Sequence, residues 1–215
     1  MTLALPLRTT LRRHEWFVAP THIETAKRMV RDFHYAGGGS PNAVYVHGLF
    51  LRGDFQCYGV AWWIPATKGT VDKYNPSGFT TTLTLTRLVV HPLVPTNGAS
   101  FLLGRSIRLI ASEGRYDCLV TYADTWRGHT GAIYKATNWT YAGMTNPLPV
   151  WLDNSGRQRS TSNRLVYQGE RRKSPTAAEL RKMGYQCVGR YPKHVYTMRL
   201  KLKSQPVQLS LFDTA

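Results

Sequence analysis

The sequence predicts a single α/β domain over residues 1–200, built on one mixed central sheet flanked by helices, with a short tail over 201–215. Three observations carry this. The chain is 215 residues long, enough for one full α/β core. Segments of helical and strand periodicity alternate along it, the pattern that layers helices on a sheet. No segment repeats another.

In chain order, "PTHIETAKRMVRDFHY" predicts a helix. Ile23, Ala26, Met29, Val30 and Phe33 recur at helical intervals, and Thr21 and Glu24 stand at capping-box spacing. The run Gly37 to Pro41 ends it. "AVYVHGLFL" and "QCYGVAWWI" read as two strands joined at Arg52-Gly53-Asp54. The polar stretch "PATKGTVDKYNPSG" reads as a loop, and "FTTTLTLTRLVVHP" as a strand with two different faces. Asn97 and Gly98 open a helix whose apolar stripe is Leu102, Leu103, Ile107 and Ile110. "CLVTYAD" is a buried strand ending at Asp124, "RGHTGAIYKATNW" a short helix, and "TYAG" a strand. "SPTAAELRKMGY" predicts a helix capped by Ser174 with Pro175 in its first turn, and "QCVGRYPKHVYTMRLKL" one final strand.

Composition narrows the function. Against 28 Lys+Arg stand 12 Asp+Glu, a formal charge of +16, which favours a phosphate polyanion as partner, nucleic acid first. No apolar run approaches the roughly 20 residues needed to span a bilayer. "MTLALPLRTTLRRHEW" lacks the layout of a signal peptide, so a cytoplasmic location is expected. Cys57, Cys118 and Cys187 form no CxxC pair, and the scattered histidines have no ligand spacing, so neither a disulfide framework nor a protein-bound metal is expected. Between Arg157 and Lys203 thirteen basic residues face two acidic ones, with tyrosines interleaved. Arg157, Arg159, Arg164, Arg171, Arg172 and Lys173 lead this basic stretch and are the expected phosphate contacts.

The strand, turn and helix around "VPTNGAS" place backbone N–H groups and a helix N-terminus where an anion can sit. Asn97, Gly98, Ala99 and Ser100 are the candidate cofactor-binding residues, although an ordinary strand-to-helix turn explains the segment equally well. A carboxylate at a strand end, Asp124, can accept a proton from an amine, and Tyr134 can donate one to a leaving group. Asp124 can equally cap the next turn, Ser100 its helix, and Tyr134 can pack in the core.

Taken together, "FHY", "RLVVHP", "NGASFLLGRSI", "TYAD" and "GHTGAIYKATNWTYAG" resemble the Mom family of phage DNA-modification proteins. The resemblance implies an acetyltransferase-like (GNAT) fold with splayed central strands, diverted to DNA and adding a carbamoylmethyl (glycinamide-type) group to adenine N6, which protects the DNA from host restriction. It places functional positions on His34, Tyr35, Arg87, Ser100, Asp124 and Tyr134. GNAT enzymes hold an acyl-CoA at a related turn, of which only Asn97 to Ser100 survives here, so the donor stays unassigned. At the end of the chain, Gln208, Leu209, Ser210, Leu211 and Phe212 resemble the pentapeptide that binds the sliding clamp of bacterial DNA polymerase, with Leu211 and Phe212 as apolar anchors. A conventional N-acetyltransferase and a non-catalytic DNA and clamp adaptor remain open alternatives.

Overall fold

The computed structural model describes residues 10–36, 42–159 and 175–201, together with the backbone of 166–167 and 170–171. Among these residues a seven-stranded sheet forms the centre. It opens with β1 (Trp16–Pro20), which pairs with β2 (Tyr45–Leu51), followed by β3 (Cys57–Pro65) and β4 (Thr82–Val90), all antiparallel. Next comes β5 (Cys118–Asp124), which runs parallel to β4. The seven are completed by a late strand, Lys193–Arg199, on the far side of β5, and Thr140–Met144 beyond it at the edge.

Both faces of this sheet are covered, which is why β3 reads as an almost continuous apolar run. On one face the helix α1 (Ile23–Phe33) sets Ala26, Met29 and Val30 against Val46, Val60, Trp62 and Val89. The short helix α2 (Lys68–Tyr74) lies on the same face, where Tyr74 packs against Cys118, Val120 and Val195. On the other face α3 (Gly98–Glu113) buries the stripe read from the sequence, Leu102, Leu103, Ile107 and Ile110, against Trp63, Leu83 and Leu85. Burying an aliphatic side chain of this size stabilises a fold by about 1.5–3 kcal/mol. Within that packing, Ser106 accepts the indole N–H of Trp63 at 2.7 Å and meets His47 Nδ1 at 2.7 Å, so the one polar group α3 turns inward is fully partnered.

Some expectations needed correction. The α1 cap is His22 with no side-chain bond, so the Thr21/Glu24 capping box does not form. The stretch read as a loop contains α2, whose cap is Thr67; a single buried apolar residue, Val71, leaves too little periodicity to read. The strand β1 was missed because only five residues carry it. The helix expected across Arg127 to Trp139 is broken by Gly128 and Gly131, both left-handed at φ +69° and +76°. A 3₁₀ turn (Thr125–Arg127) precedes them, and α4 (Ala132–Lys135) follows, leading to β6 (Thr140–Met144). The helix expected at Ser174 is α5 (Ala177–Lys182); its cap is Thr176, with Glu179 closing a complete capping box.

The final strand is two. β10 (Gln186–Tyr191) and β11 (Lys193–Arg199) are separated by Pro192, which has no N–H to give a ladder. β11 joins the main sheet, whereas β10 pairs with β7 (Leu148–Leu152) in a separate two-stranded ribbon. A further pair, β8 (Val166–Tyr167) and β9 (Glu170–Arg171), is described as backbone only.

Gly131 tests this packing. A Cβ there would stand 2.2 Å from the Tyr196 ring, in a backbone conformation that L residues disfavour by about 1–2 kcal/mol. Gly131→Ala is expected to cost about 2–4 kcal/mol in chemical denaturation, the conformational penalty plus overpacking. Gly128→Ala, where nothing lies within 4 Å, should show the conformational penalty alone. Equal losses in the two variants would contradict the packing of Tyr196 over Gly131.

Candidate active site

The parallel ladder between β4 and β5 has four rungs, from Thr82↔Cys118 to Leu85↔Thr121, and then stops although both strands continue. At that point β4 carries a bulge: Trp62 of β3 faces Arg87 and Trp63 faces Leu85, leaving Thr86 extra. A bulge bends its strand and increases the local twist, which carries β4 away from β5. The Thr121 hydroxyl donates to the Leu85 carbonyl at 3.3 Å, pinning the last rung where the fork begins.

Two chambers open at the fork. The larger, about 410 Å³, runs between the diverging strands and is closed by the Gly128 to Tyr134 segment, with Ala99 of α3 on its wall. The smaller, about 170 Å³, lies toward the β7–β10 ribbon and is bounded by Val150, Gln158, Arg159, Tyr191 and Lys193. Tyr35 and Arg87 line both and stand between them. Asp124 opens on the smaller chamber and Tyr134 on the larger.

Asp124 is 2 % exposed, and it is the sole carboxylate lining either chamber among the described residues. One oxygen accepts from the Trp126 N–H at 3.3 Å, so the residue does cap the 3₁₀ turn. The other oxygen lies 3.4 Å from Lys193 Nζ and 3.4 Å from Gln158 Nε2. Lys193 arrives there because the β5–β11 register sets it directly opposite Asp124.

His34 ends α1 and stacks on Tyr35 at 4.3 Å. Burial, reinforced by Arg87, His129 and Arg127, pushes its pKa down to about 3. The ring is therefore neutral at ordinary pH. Its Nδ1 accepts the Ala36 N–H at 3.1 Å, so the proton sits on Nε2 and His34 offers a donor. Tyr35 is pushed up to about 12 by burial and by Asp124, and the Arg127 guanidinium lies 4.9 Å over its ring. Arg87 donates to the Thr86 carbonyl at 2.6 Å, and burial lowers its pKa. Tyr134, raised by burial and hydrogen-bonded with Thr121, also packs on Trp139 and Tyr196. It is both a chamber wall and a core residue.

Five of the six catalytic candidates thus converge. Ser100 does not: its hydroxyl donates to the Asn97 carbonyl at 2.9 Å, and it faces a third cavity of about 490 Å³ beside Asn97, Arg13 and Arg108. The cofactor candidates divide in the same way. Ala99 faces the fork, while the Asn97 side chain accepts the Leu11 N–H at 2.7 Å. Gly98 is buried, and a Cβ on it would meet Val94 at 2.1 Å, so its role here is close packing. Of the basic candidates, Arg159 lines the smaller chamber and lies over the Tyr185 ring, and Arg157 stands beside His34 and Tyr35. Arg164, Arg172 and Lys173 lie outside the described residues, as do Gln208 to Phe212; Arg171 is described as backbone only. Arg127 and Gln158 were missed, and Lys193 was counted only within the basic stretch, not as a partner of Asp124. The loop "TWRGHTG" after a strand end was a usable signal for Arg127, whereas Gln158 and Lys193 reach the site through pairings that no local pattern reveals.

The neutral His34 has a pH consequence. Its folded pKa lies below the unfolded 6.5, so between about pH 6.5 and 3 the unfolded chain binds the extra proton and folding stability falls as pH falls. His34→Gln should flatten that acid-side loss by about one proton in the slope of stability against pH. In the wild-type protein the His34 ring resonances should not titrate between pH 5 and 8, and a midpoint near 6.5 would contradict the buried, neutral assignment.

Comparison with known proteins places this geometry. The family model described as the Mom protein family matches residues 15–209. No curated protein sequence matches the chain. Similar solved structures include NAA60 of Arabidopsis thaliana in complex with acetyl-CoA, at 10 % identity, 86 % of this chain, 99 % of that chain and TM-score 0.54. A putative acetyltransferase from Acinetobacter baylyi ADP1 matches at 8 % identity, 89 % and 95 % coverage and TM-score 0.52. An N-acetyltransferase from Staphylococcus aureus Mu50 matches at 12 % identity, 86 % and 99 % coverage and TM-score 0.50. On a GNAT acetyltransferase-type fold, with a family match running through every strand of the central sheet, the chain belongs to the Mom protein family.

Proposed function

We propose that the protein is a DNA-modification transferase that adds a carbamoylmethyl group to adenine N6, protecting phage DNA from restriction in the bacterial cytoplasm. The observation that carries this reading is the pair of chambers meeting at Tyr35 and Arg87, with Asp124 facing the one on the basic side. A transferase needs a donor and an acceptor brought together from separate spaces. The larger chamber falls within the roughly 300–1,000 Å³ usual for small-molecule sites. The smaller suits a single planar base that has left its stack.

On the acceptor side, the N6 lone pair is conjugated with the purine ring, so transfer requires loss of an N6 proton. Asp124 is placed to accept it, and Lys193 balances the carboxylate charge. Arg87, Arg159 and Lys193 give the chamber the sign that draws the phosphate backbone toward it. Closure by Tyr35, stacked on His34 and covered by Arg127, keeps water from the meeting point.

On the donor side, the fold suggests an acyl-CoA-type molecule. Beyond Leu85 and Thr121 the facing edges of β4 and β5 have lost each other as ladder partners, which suits an amide-bearing chain laid between them. The third cavity has Arg13 and Arg108 beside the first turns of α3, which suits phosphate. These residues fit the phosphates of such a donor. Because attack on a thioester carbonyl would leave an amide on N6, a carbamoylmethyl product requires that the donor carry its leaving group on the methylene carbon that bonds to N6, and the identity of that donor stays unassigned. Tyr134, kept protonated by burial, is positioned to hand a proton to the departing group. The resemblance of Gln208 to Phe212 to a clamp-binding peptide adds recruitment to the polymerase sliding clamp, which would raise the local concentration of enzyme at new DNA.

Nucleoside mass spectrometry of DNA from bacteria expressing the protein is expected to show an adenosine adduct with the mass of carbamoylmethyl. Asp124→Asn should lower it about 10²-fold or more, and Tyr134→Phe about 10-fold or more. Unmodified DNA from cells holding folded wild-type protein would overturn the proposal, and an acetyl adduct or an acetylated protein would favour conventional N-acetyl transfer. The Leu211→Ala/Phe212→Ala variant should lose binding to purified clamp in solution while keeping its affinity for DNA. Clamp binding equal to wild type would remove the recruitment step.

A further inference from the structure

Within the smaller chamber, Gln158 holds an oddity. Its Nε2 donates to Asp124 Oδ2 at 3.4 Å, whereas its Oε1 is withdrawn from water and has no hydrogen-bond partner among the described residues. The orientation is fixed by chemistry: turning the amide over would set its oxygen against a carboxylate. An acceptor left unpaired among the described residues costs about 1–3 kcal/mol, and a ligand in the chamber can supply the donor it lacks. Gln158 lines the smaller chamber, and the terminal torsion of a glutamine is soft, so Oε1 can turn toward a ligand held there. Gln158 is held close by its backbone, which bridges to Leu152 at the end of β7.

We propose that Gln158 and Asp124 together read the exocyclic amino group of the acceptor base, each accepting one of its two N–H hydrogens. Two acceptors on one wall match an NH₂ group and oppose a carbonyl oxygen. The chamber therefore selects amino-bearing bases and rejects guanine O6 and thymine O4 by leaving acceptors face to face. Arg87, Arg159 and Lys193, lining the same chamber, supply the donors that ring nitrogens require. While Asp124 takes the proton, Gln158 keeps the remaining N–H in place, which makes it a specificity residue for the reaction. The inference rests on a base entering this chamber, as the proposed function holds.

The test uses the full chain and a DNA duplex with one adenine opposite an abasic site, where extrusion is cheap. Binding is measured at about 0.2 M salt, to weaken contacts made to phosphate alone. The adenine is then replaced by purine, which lacks the amino group, by N6,N6-dimethyladenine, which has no N–H, and by hypoxanthine, which carries a carbonyl. Wild-type protein should prefer adenine over purine and over dimethyladenine by about tenfold, with hypoxanthine weakest. Gln158→Met, of the same length but without the acceptor, should cut the preference over purine to about twofold while its affinity for the purine duplex stays within twofold of wild type. A variant that keeps the full preference, or loses affinity for both duplexes equally, overturns the reading. Wild-type protein that binds adenine and dimethyladenine alike overturns it with no variant needed. The failures separate cleanly: adducted DNA without amine discrimination removes Gln158 alone, whereas discrimination without any adduct removes the chemistry and keeps the reader.

Discussion

Four rungs of parallel ladder between β4 and β5 are the constraint on which the site depends. A longer ladder would zip the fork shut and leave no space between Arg87 and Asp124. A shorter one would uncouple α3 from the strands it connects. The length is held from both directions: the extra residue at Thr86 bends β4 outward, and the Thr121 hydroxyl clasps the Leu85 carbonyl at the last rung. Tyr134 is hydrogen-bonded with that same Thr121, so the chemistry of the larger chamber is tied to the residue that ends the ladder.

Among the described residues, one carboxylate stands among several basic side chains around the fork. Arg87, Arg127, Arg159 and Lys193 surround or approach a single buried carboxylate. In that field a protonated histidine is unfavourable, and His34 stays neutral for this reason as well as for its burial. The tyrosines keep their protons. Around the one carboxylate, Asp124, the site thus sets a neutral imidazole and buried phenols that can donate hydrogen bonds, the division between acceptor and donors on which the proposed proton transfers rest.

Much of this was legible from residue order. The α3 stripe, the two faces of β4, the end of β5 at Asp124 and the β2–β3 hairpin follow from local periodicity and turn residues, and all stand in the fold. The fork could be expected only through family resemblance, because a bulge and a lost rung leave no periodic trace. Local reading failed where one residue interrupts a pattern: Pro192 splits an apparent strand between two sheets, and Gly128 with Gly131 divides an apparent helix. It failed also where function depends on register. Lys193 meets Asp124 across β11 and β5, and Gln158 reaches it from a segment 34 residues later, contacts set by pairing over long separations. Ser100 shows the opposite error, a residue close in sequence to the cofactor turn whose side chain faces away from the fork.

The break at Pro192 has an evolutionary consequence. Because β7 and β10 form their own ribbon, the wall that gives the smaller chamber Val150, Arg159 and Tyr191 shares no ladder with the sheet that builds the larger one. Substitutions, insertions or an exchange of the whole ribbon can remodel the smaller chamber without disturbing the strands that shape the larger one. The two chambers can in this way change at different rates, one drifting as the other stands still.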